Sequence, residues 1–193
     1  MRKEFLLDKN IIYLNHGSYG ACHKSIFEDY QKWQYKLELQ PVEFINKELP
    51  PLLSLSRNVL SEFLNINAND IVLLPNPTTA LNEIVRSLDL SPGDEILTTN
   101  HEYGAMNNIW EYITKKTGAH FKSIKIPIPI STEEIIIKSL KDNITKRTKI
   151  IFISHLTSET AMIFPVENIC QIAREKGILS IIDGAHTPGH IPL

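Results

Sequence analysis

The spacing of apolar positions changes character near residue 70. Upstream, Ile26, Phe27, Tyr30, Trp33 and Leu37 recur at helical intervals and predict an amphipathic helix. A second helix is predicted over 52–64, with Val59, Leu60, Phe63 and Leu64 on its buried side. Pro41, Pro50 and Pro51 punctuate the stretch between them. Ahead of both, Tyr13-Leu14-Asn15-His16-Gly17-Ser18-Tyr19-Gly20 mixes polar, glycine and aromatic residues and reads as an ordered loop.

Downstream, short apolar runs alternate with helical periodicity. Runs at 70–74, 95–98, 120–126, 148–154 and 178–182 predict strands, the last ending at Asp183. Helices are predicted between them over 78–88, 104–116, 132–142 and 165–176, with Pro165 as the first helical residue and Gly177 as the stop. The run at 148–154 is the clearest strand. This alternation predicts an α/β fold, a mostly parallel sheet with helices on both faces. In such sheets ligands bind beyond the carboxyl ends of the strands, so the residues after Leu74, Thr98, Ser154 and Ile182 are where chemistry is expected.

Each of those positions carries usable groups. After Leu74, Asn76-Pro77-Thr78-Thr79 offers a helix N-terminus with two hydroxyls, suited to a phosphate. After Thr98, Tyr103 offers an aromatic plate. After Ser154, His155-Leu156-Thr157-Ser158 offers an imidazole and hydroxyls, and after Ile182 comes a carboxylate, Asp183. Taken singly, the first three have plainer readings: a threonine cap, ordinary aromatic packing and a hydrogen-bonded loop. Asp183 has a weaker plain reading, because a carboxylate at the end of an apolar strand is costly to bury without a partner. Asp183, His186 and His190 could also be read as metal ligands, but Gly184, Pro188 and Gly189 prevent a helix that would converge them. No glycine-rich turn follows the first predicted strand, which speaks against a P-loop or a dinucleotide-binding module. Together, a phosphate seat, an aromatic plate, hydroxyl donors and a carboxylate match the handles of pyridoxal 5′-phosphate (PLP), whose ring serves as an electron sink when its nitrogen is kept protonated.

Composition narrows the partners. Over 193 residues, 20 basic and 22 acidic side chains give a formal charge of −2, and the densest basic cluster, Lys146-Arg147-Thr148-Lys149, begins a predicted strand, so no nucleic-acid partner is expected. Cys22 and Cys170 are far apart and fit neither a disulfide scaffold nor a zinc site. The opening MRKEFLLDKN lacks the apolar core of a signal peptide, and no apolar run reaches membrane-spanning length, so a cytoplasmic chain without membrane contact is expected.

The residues quoted above resemble the class V aminotransferase family of fold-type I PLP-dependent enzymes, in its isopenicillin-N-epimerase-like branch. The matching segments are Tyr13–Gly20, Asn76–Asn82, His101–Ala105, Ser154–Ser158 and Asp183–His186, in the family's order. The resemblance implies that Thr78 and Thr79 bind the cofactor phosphate and Tyr103 stacks on the ring. It further implies that Ser158, or its neighbour Thr157, faces the phenolic oxygen. Asp183 would pair with the ring nitrogen, His186 would lie beside the ring, and the loop Asn15, His16, Gly17 and Ser18 would approach the substrate. Pro77 departs from the pattern, since proline has no N–H to offer a phosphate.

The family's Schiff-base lysine follows the aspartate in a His-Lys pair, whereas no lysine follows Lys176 here. The expectation is therefore an N-terminal half: a loop-and-helix region over 1–65 and a partial PLP-binding large domain over 66–193, without its C-terminal part or small domain. The complete enzyme would act on an amino acid or amine. Catalysis by this chain alone is not expected, and a homodimer, a complementing C-terminal half or a degraded remnant are the alternatives that follow.

Overall fold

The structure, a computed structural model, describes residues 2–129 and 132–192. It divides into two compact units, one running to Leu73 and the other from Leu74 onward.

The first unit is built from helices and an ordered N-terminal segment. Arg2 threads this segment together, its guanidinium donating to the carbonyls of Asp8, Lys9 and Ile11 at 2.8, 2.8 and 2.6 Å. Helix α1 (Lys24–Leu39) is capped by His23, whose Nδ1 accepts from the Ser25 N–H. A short helix α2 (Pro41–Glu43) leads through a π-helical turn, Phe44–Glu48, into α3 (Leu49–Leu64). The wide turn follows from Pro50 and Pro51: neither has an N–H to donate to the carbonyls four residues back, and Leu49 N–H instead reaches the Phe44 carbonyl. The prolines predicted as punctuation thus lie in the first turn of α3, which begins earlier than the sequence implied.

Val59, Leu60 and Phe63 were expected to be buried; they are exposed, as are Ile26, Phe27, Tyr30 and Trp33 of α1. Phe44 is the buried apolar side chain of this unit among the described residues. Helical periodicity identifies the stripe that would profit from cover but does not supply the cover.

The predicted strand at 70–74 is also corrected. Ala68–Asp70 form a 3-10 turn and the residues after it are extended but pair with no strand among the described residues; Val72 is 75% exposed. A strand exists by its partner, and an apolar run alone does not provide one.

The second unit is a four-stranded, all-parallel sheet in the order β2-β1-β3-β4, with β1 (Glu95–Thr99), β2 (His120–Ile124), β3 (Thr148–Ser154) and β4 (Leu179–Asp183). Helices α4 (Pro77–Ser87), α5 (Gly104–Thr117), α6 (Glu133–Asn143) and α7 (Val166–Glu175) cover it. Alternation along the strands feeds two cores. Ile96, Ile150 and Phe152 join Leu81 and Val85 of α4 and Met106 and Trp110 of α5 on one face. Leu97, Ile151 and Ile153 join Ile136 and Leu140 of α6 and Ile169 and Ala173 of α7 on the other. This is the α/β layer arrangement that the sequence predicted.

Three boundaries shift for identifiable reasons. β2 ends at Ile124, two residues early, because Ile126 N–H donates to the Asn100 side chain at 2.7 Å and Pro127 follows. Pro165 caps α7 from outside rather than opening it, and α4 begins at Pro77, not Thr78.

Candidate functional site

Because all four strands run in parallel, their carboxyl ends share one edge of the sheet, and the loops after β1, β3 and β4 meet there. The order β2-β1-β3-β4 puts a topological switch point between β1 and β3, the place where open parallel sheets bind ligands. A cleft of about 430 Å³ opens at this edge, lined by Pro77, Ala80, Leu81, Met106, Phe152 and the residues from Ile181 to Ala185. Its walls are largely apolar, with Asp183 as the acidic group among its lining residues.

Helix α4 brings Thr78 and Thr79 to this region. Its cap is Asn76, whose Oδ1 accepts the Thr79 N–H at 2.8 Å. That bond occupies one of the donors expected for a phosphate, and Pro77 lacks another, so Thr78 N–H and the two hydroxyls are what the helix start offers an anion. Tyr103 is the N-cap residue of α5 and is 50% exposed, its ring available rather than packed away.

After β3, the segment 157–162 closes into a turn. Thr157 is buried, and its Oγ1 accepts from Met162 N–H at 2.8 Å and bonds the Thr160 hydroxyl at 2.7 Å, so it is committed to the turn; Ser158 beside it is exposed. Of the two, Ser158 has the hydroxyl available to a ligand. Burial pushes His155 below its ordinary value, partly opposed by Glu167.

Asp183 ends β4 in register with Ser154, and its carbonyl accepts from His155 N–H at 2.9 Å. Its Oδ1 accepts from Ala185 N–H at 2.9 Å, which aims the carboxylate from the strand end while leaving the second oxygen for another partner. His186 follows in the same turn, half-buried. Among the described residues, no group of three or more His, Cys, Asp or Glu side chains is arranged to hold a metal.

Asn15, His16, Gly17 and Ser18 belong to the first unit. There Tyr19 N–H closes a turn on the Asn15 carbonyl at 3.0 Å, and the Tyr13 ring meets His16 edge-on with centroids 4.9 Å apart.

One group at this edge escaped the sequence reading. Glu102 is buried, with Oε1 accepting from the Thr99 hydroxyl at 2.6 Å and Oε2 accepting from Ser154 N–H at 2.7 Å and from its hydroxyl at 2.6 Å. Its spacing from Thr99 was visible, but Ser154 lies 52 residues further along the chain.

Comparison with known proteins places the chain. The model of the family described as Aminotransferase class-V matches residues 37–193. The chain belongs to that family. It is 33% identical to isopenicillin N epimerase of Streptomyces clavuligerus over 193 residues, covering 100% of this chain and 48% of the relative. It is 26% identical to L-cysteine desulfhydrase of Arabidopsis thaliana, covering 92% of this chain and 42% of that one. Among solved structures, a C-DES variant with glycine covalently linked to its PLP cofactor matches with a TM-score of 0.88 at 23% identity, over 100% of this chain and 51% of the other. Cysteine desulfurase CsdA of Escherichia coli matches with a TM-score of 0.83 at 22% identity, over 99% of this chain and 49% of the other. These likenesses give the class V chain the fold of fold-type I PLP enzymes across that half. The chain spans about half the length of the curated relatives it matches. No helix among the described residues is long and apolar enough to cross a membrane.

Proposed function

We propose that this class V chain forms the N-terminal part of a PLP-dependent enzyme acting on amino acids or amines, and that the cleft beyond the strand ends is its cofactor site. The observation that carries the proposal is Asp183: a carboxylate at the carboxyl end of β4, lining an apolar cleft, with one oxygen held by Ala185 N–H. The donor set suits the group in its chemistry, although of the donor residues Asp183 alone is among those lining the cleft. Thr78 N–H with the Thr78 and Thr79 hydroxyls suits the phosphate, the exposed Tyr103 ring suits stacking, and Ser158 with His186 suits the polar rim near the phenolic oxygen. When bound, PLP supplies an electron sink for a carbanion at the substrate's α-carbon. Asp183 would then keep the ring nitrogen protonated, and Tyr103 would hold the ring plane.

The test is a PLP titration of this chain followed by cofactor absorbance, alongside Asp183→Asn. The variant keeps an acceptor for Ala185 N–H and loses the charge. Saturable binding weakened about ten- to a hundred-fold in D183N is expected from losing a charge-assisted bond. Equal affinity in both proteins would sink the ring-nitrogen assignment.

A second reading, a non-catalytic subunit that works with a separate C-terminal half, is favoured by β4. It pairs with β3 on one side and with no strand on the other among the described residues, and Leu179 is exposed on it. Mixing the chain with the downstream half of a class V relative would then restore turnover that neither piece has alone.

A further inference from the structure

Glu102 has no part in the roles above, yet it is the most deeply placed carboxyl group at the carboxyl edge of the sheet, 6% exposed. Its three hydrogen bonds come from the ends of two adjacent strands: the Thr99 hydroxyl from β1, and the N–H and hydroxyl of Ser154 from β3. Among the described residues it makes no ion pair. At the opposite end of the same two strands, Glu95 also links β1 to the start of β3, accepting from the hydroxyls of Thr145, just before β3, at 2.6 Å and of Thr148 at 3.5 Å, but there Arg147 stands 3.3 Å away. A link between strand ends does not by itself call for an uncompensated buried acid, which costs free energy unless its oxygens are fully hydrogen-bonded. What distinguishes the Glu102 end is its neighbours. Tyr103 follows it directly in the chain, and Ser154 is the register partner of Asp183, whose carbonyl takes the next amide, His155 N–H.

We infer that Glu102 is a positioning residue: its carboxyl group locks the ends of β1 and β3 and so sets the placement of the Tyr103 ring relative to the Asp183 carboxylate for a flat, phosphorylated pyridine. The inference rests on the reading of Tyr103 and Asp183 as partners of the PLP ring. Burial raises the Glu102 pKa and nearby Asp183 adds to the rise, while the Ser154 and Thr99 bonds oppose it; the site accepts that cost to hold the geometry.

Two substitutions separate positioning from charge. Glu102→Gln can keep both Ser154 bonds on its carbonyl oxygen while its amide donates to the Thr99 hydroxyl oxygen, so the clamp survives without the charge. Glu102→Ala removes the clamp. In the full 193-residue chain, three quantities are read: amide hydrogen exchange at Ser154, PLP affinity, and the induced circular dichroism of bound PLP, which reports a fixed ring orientation. In E102A, exchange at Ser154 is expected to speed up about ten-fold, PLP to bind about ten-fold more weakly, and the induced signal per bound PLP to collapse; E102Q is expected to stay within about three-fold of the wild type. Ser154→Ala, which removes only the hydroxyl half of the clamp, gives an intermediate loss and serves if E102A does not fold. The proposal is overturned if E102A keeps wild-type exchange and induced dichroism. It is equally overturned if E102Q loses the signal as fully as E102A with Ser154 still protected. A wild-type chain that binds no PLP would instead overturn the cofactor reading, and Ser154 exchange would still decide whether Glu102 holds the strand ends.

Discussion

Ser154 gives both its backbone N–H and its hydroxyl to one oxygen of Glu102, at 2.7 and 2.6 Å, across 52 residues of chain. Together with Glu95 at the other end, this bond makes β1 and β3 a pair of strands bridged by an acid at each end. The pKa values of the two acids are shifted in opposite directions, and that has a measurable consequence.

Burial raises Glu102 above its ordinary 4.5, whereas Glu95 lies below it, held there first by the Thr145 hydroxyl and helped by Arg147. Between pH 4.5 and the raised native value, the unfolded chain loses the Glu102 proton while the native chain keeps it, so stability falls as pH rises through that window. Glu95 acts below 4.5: its contribution is present above that pH and is lost as pH falls through its depressed native value. Urea midpoints measured across pH should therefore show Glu102→Gln flattening the fall on the alkaline side of 4.5, and Glu95→Gln flattening the loss on the acid side. If E102Q leaves the alkaline-side slope untouched, Glu102 is ionised at the same pH in both states.

Asn76 closes α4 by accepting the Thr79 N–H at 2.8 Å. Asn76→Ala should cost about 1 kcal/mol of stability and Asn76→Gly only a few tenths, the ordinary difference for a helix N-cap. Urea unfolding of this chain reads the difference directly. Because either change also frees the Thr79 N–H, neither is expected to weaken PLP binding in step with stability. A parallel loss of both would mean that Asn76 itself contacts the phosphate.

Much of this was legible before the structure. Ile150-Ile151-Phe152-Ile153 announced a strand buried on both faces, and its residues do divide between the two cores. The strand-end rule located Tyr103 and Asp183 at one edge. What failed shares one physical cause. Among the described residues the run at 70–74 has no pairing strand and Val59 and Phe63 have no cover, while Glu102 depends on Ser154, 52 residues away; local pattern carries no record of whether a partner exists or where it lies. Pro50 and Pro51 were misjudged differently, as breaks, because the π turn that tolerates them has no signature in hydrophobic spacing.

Trp110 tests the core that faces α4 and α5. It is fully buried, its ring centroid lies 5.6 Å from that of Phe152, and among the described residues its indole N–H has no hydrogen-bond partner. Trp110→Ala should cost about 3–5 kcal/mol through lost contacts and a cavity. Trp110→Phe should cost less than about 2 kcal/mol, because it keeps an aromatic ring against Phe152 and removes a buried donor that is unsatisfied. Equal losses in the two variants would show that the indole N–H has a partner after all.

The outer edge of β4 gives the last prediction. β4 pairs with β3 alone among the described residues, and Leu179 at its start is 48% exposed. An unpaired parallel edge presents a row of N–H and C=O groups, and an apolar side chain beside it favours pairing with another chain over hydration. A lysine there keeps the backbone unchanged but places a charge that must be desolvated when a second edge docks. Leu179→Lys should therefore leave the far-UV spectrum and the Ile151–Ser180 pairing intact while lowering self-association. Sedimentation velocity over rising concentration distinguishes the cases: the wild type should shift to faster-sedimenting species and L179K should stay nearer the monomer. If both associate alike, the contact does not use β4, and the exposed aromatic stripe of α1 becomes the surface to change next, beginning with Trp33→Lys.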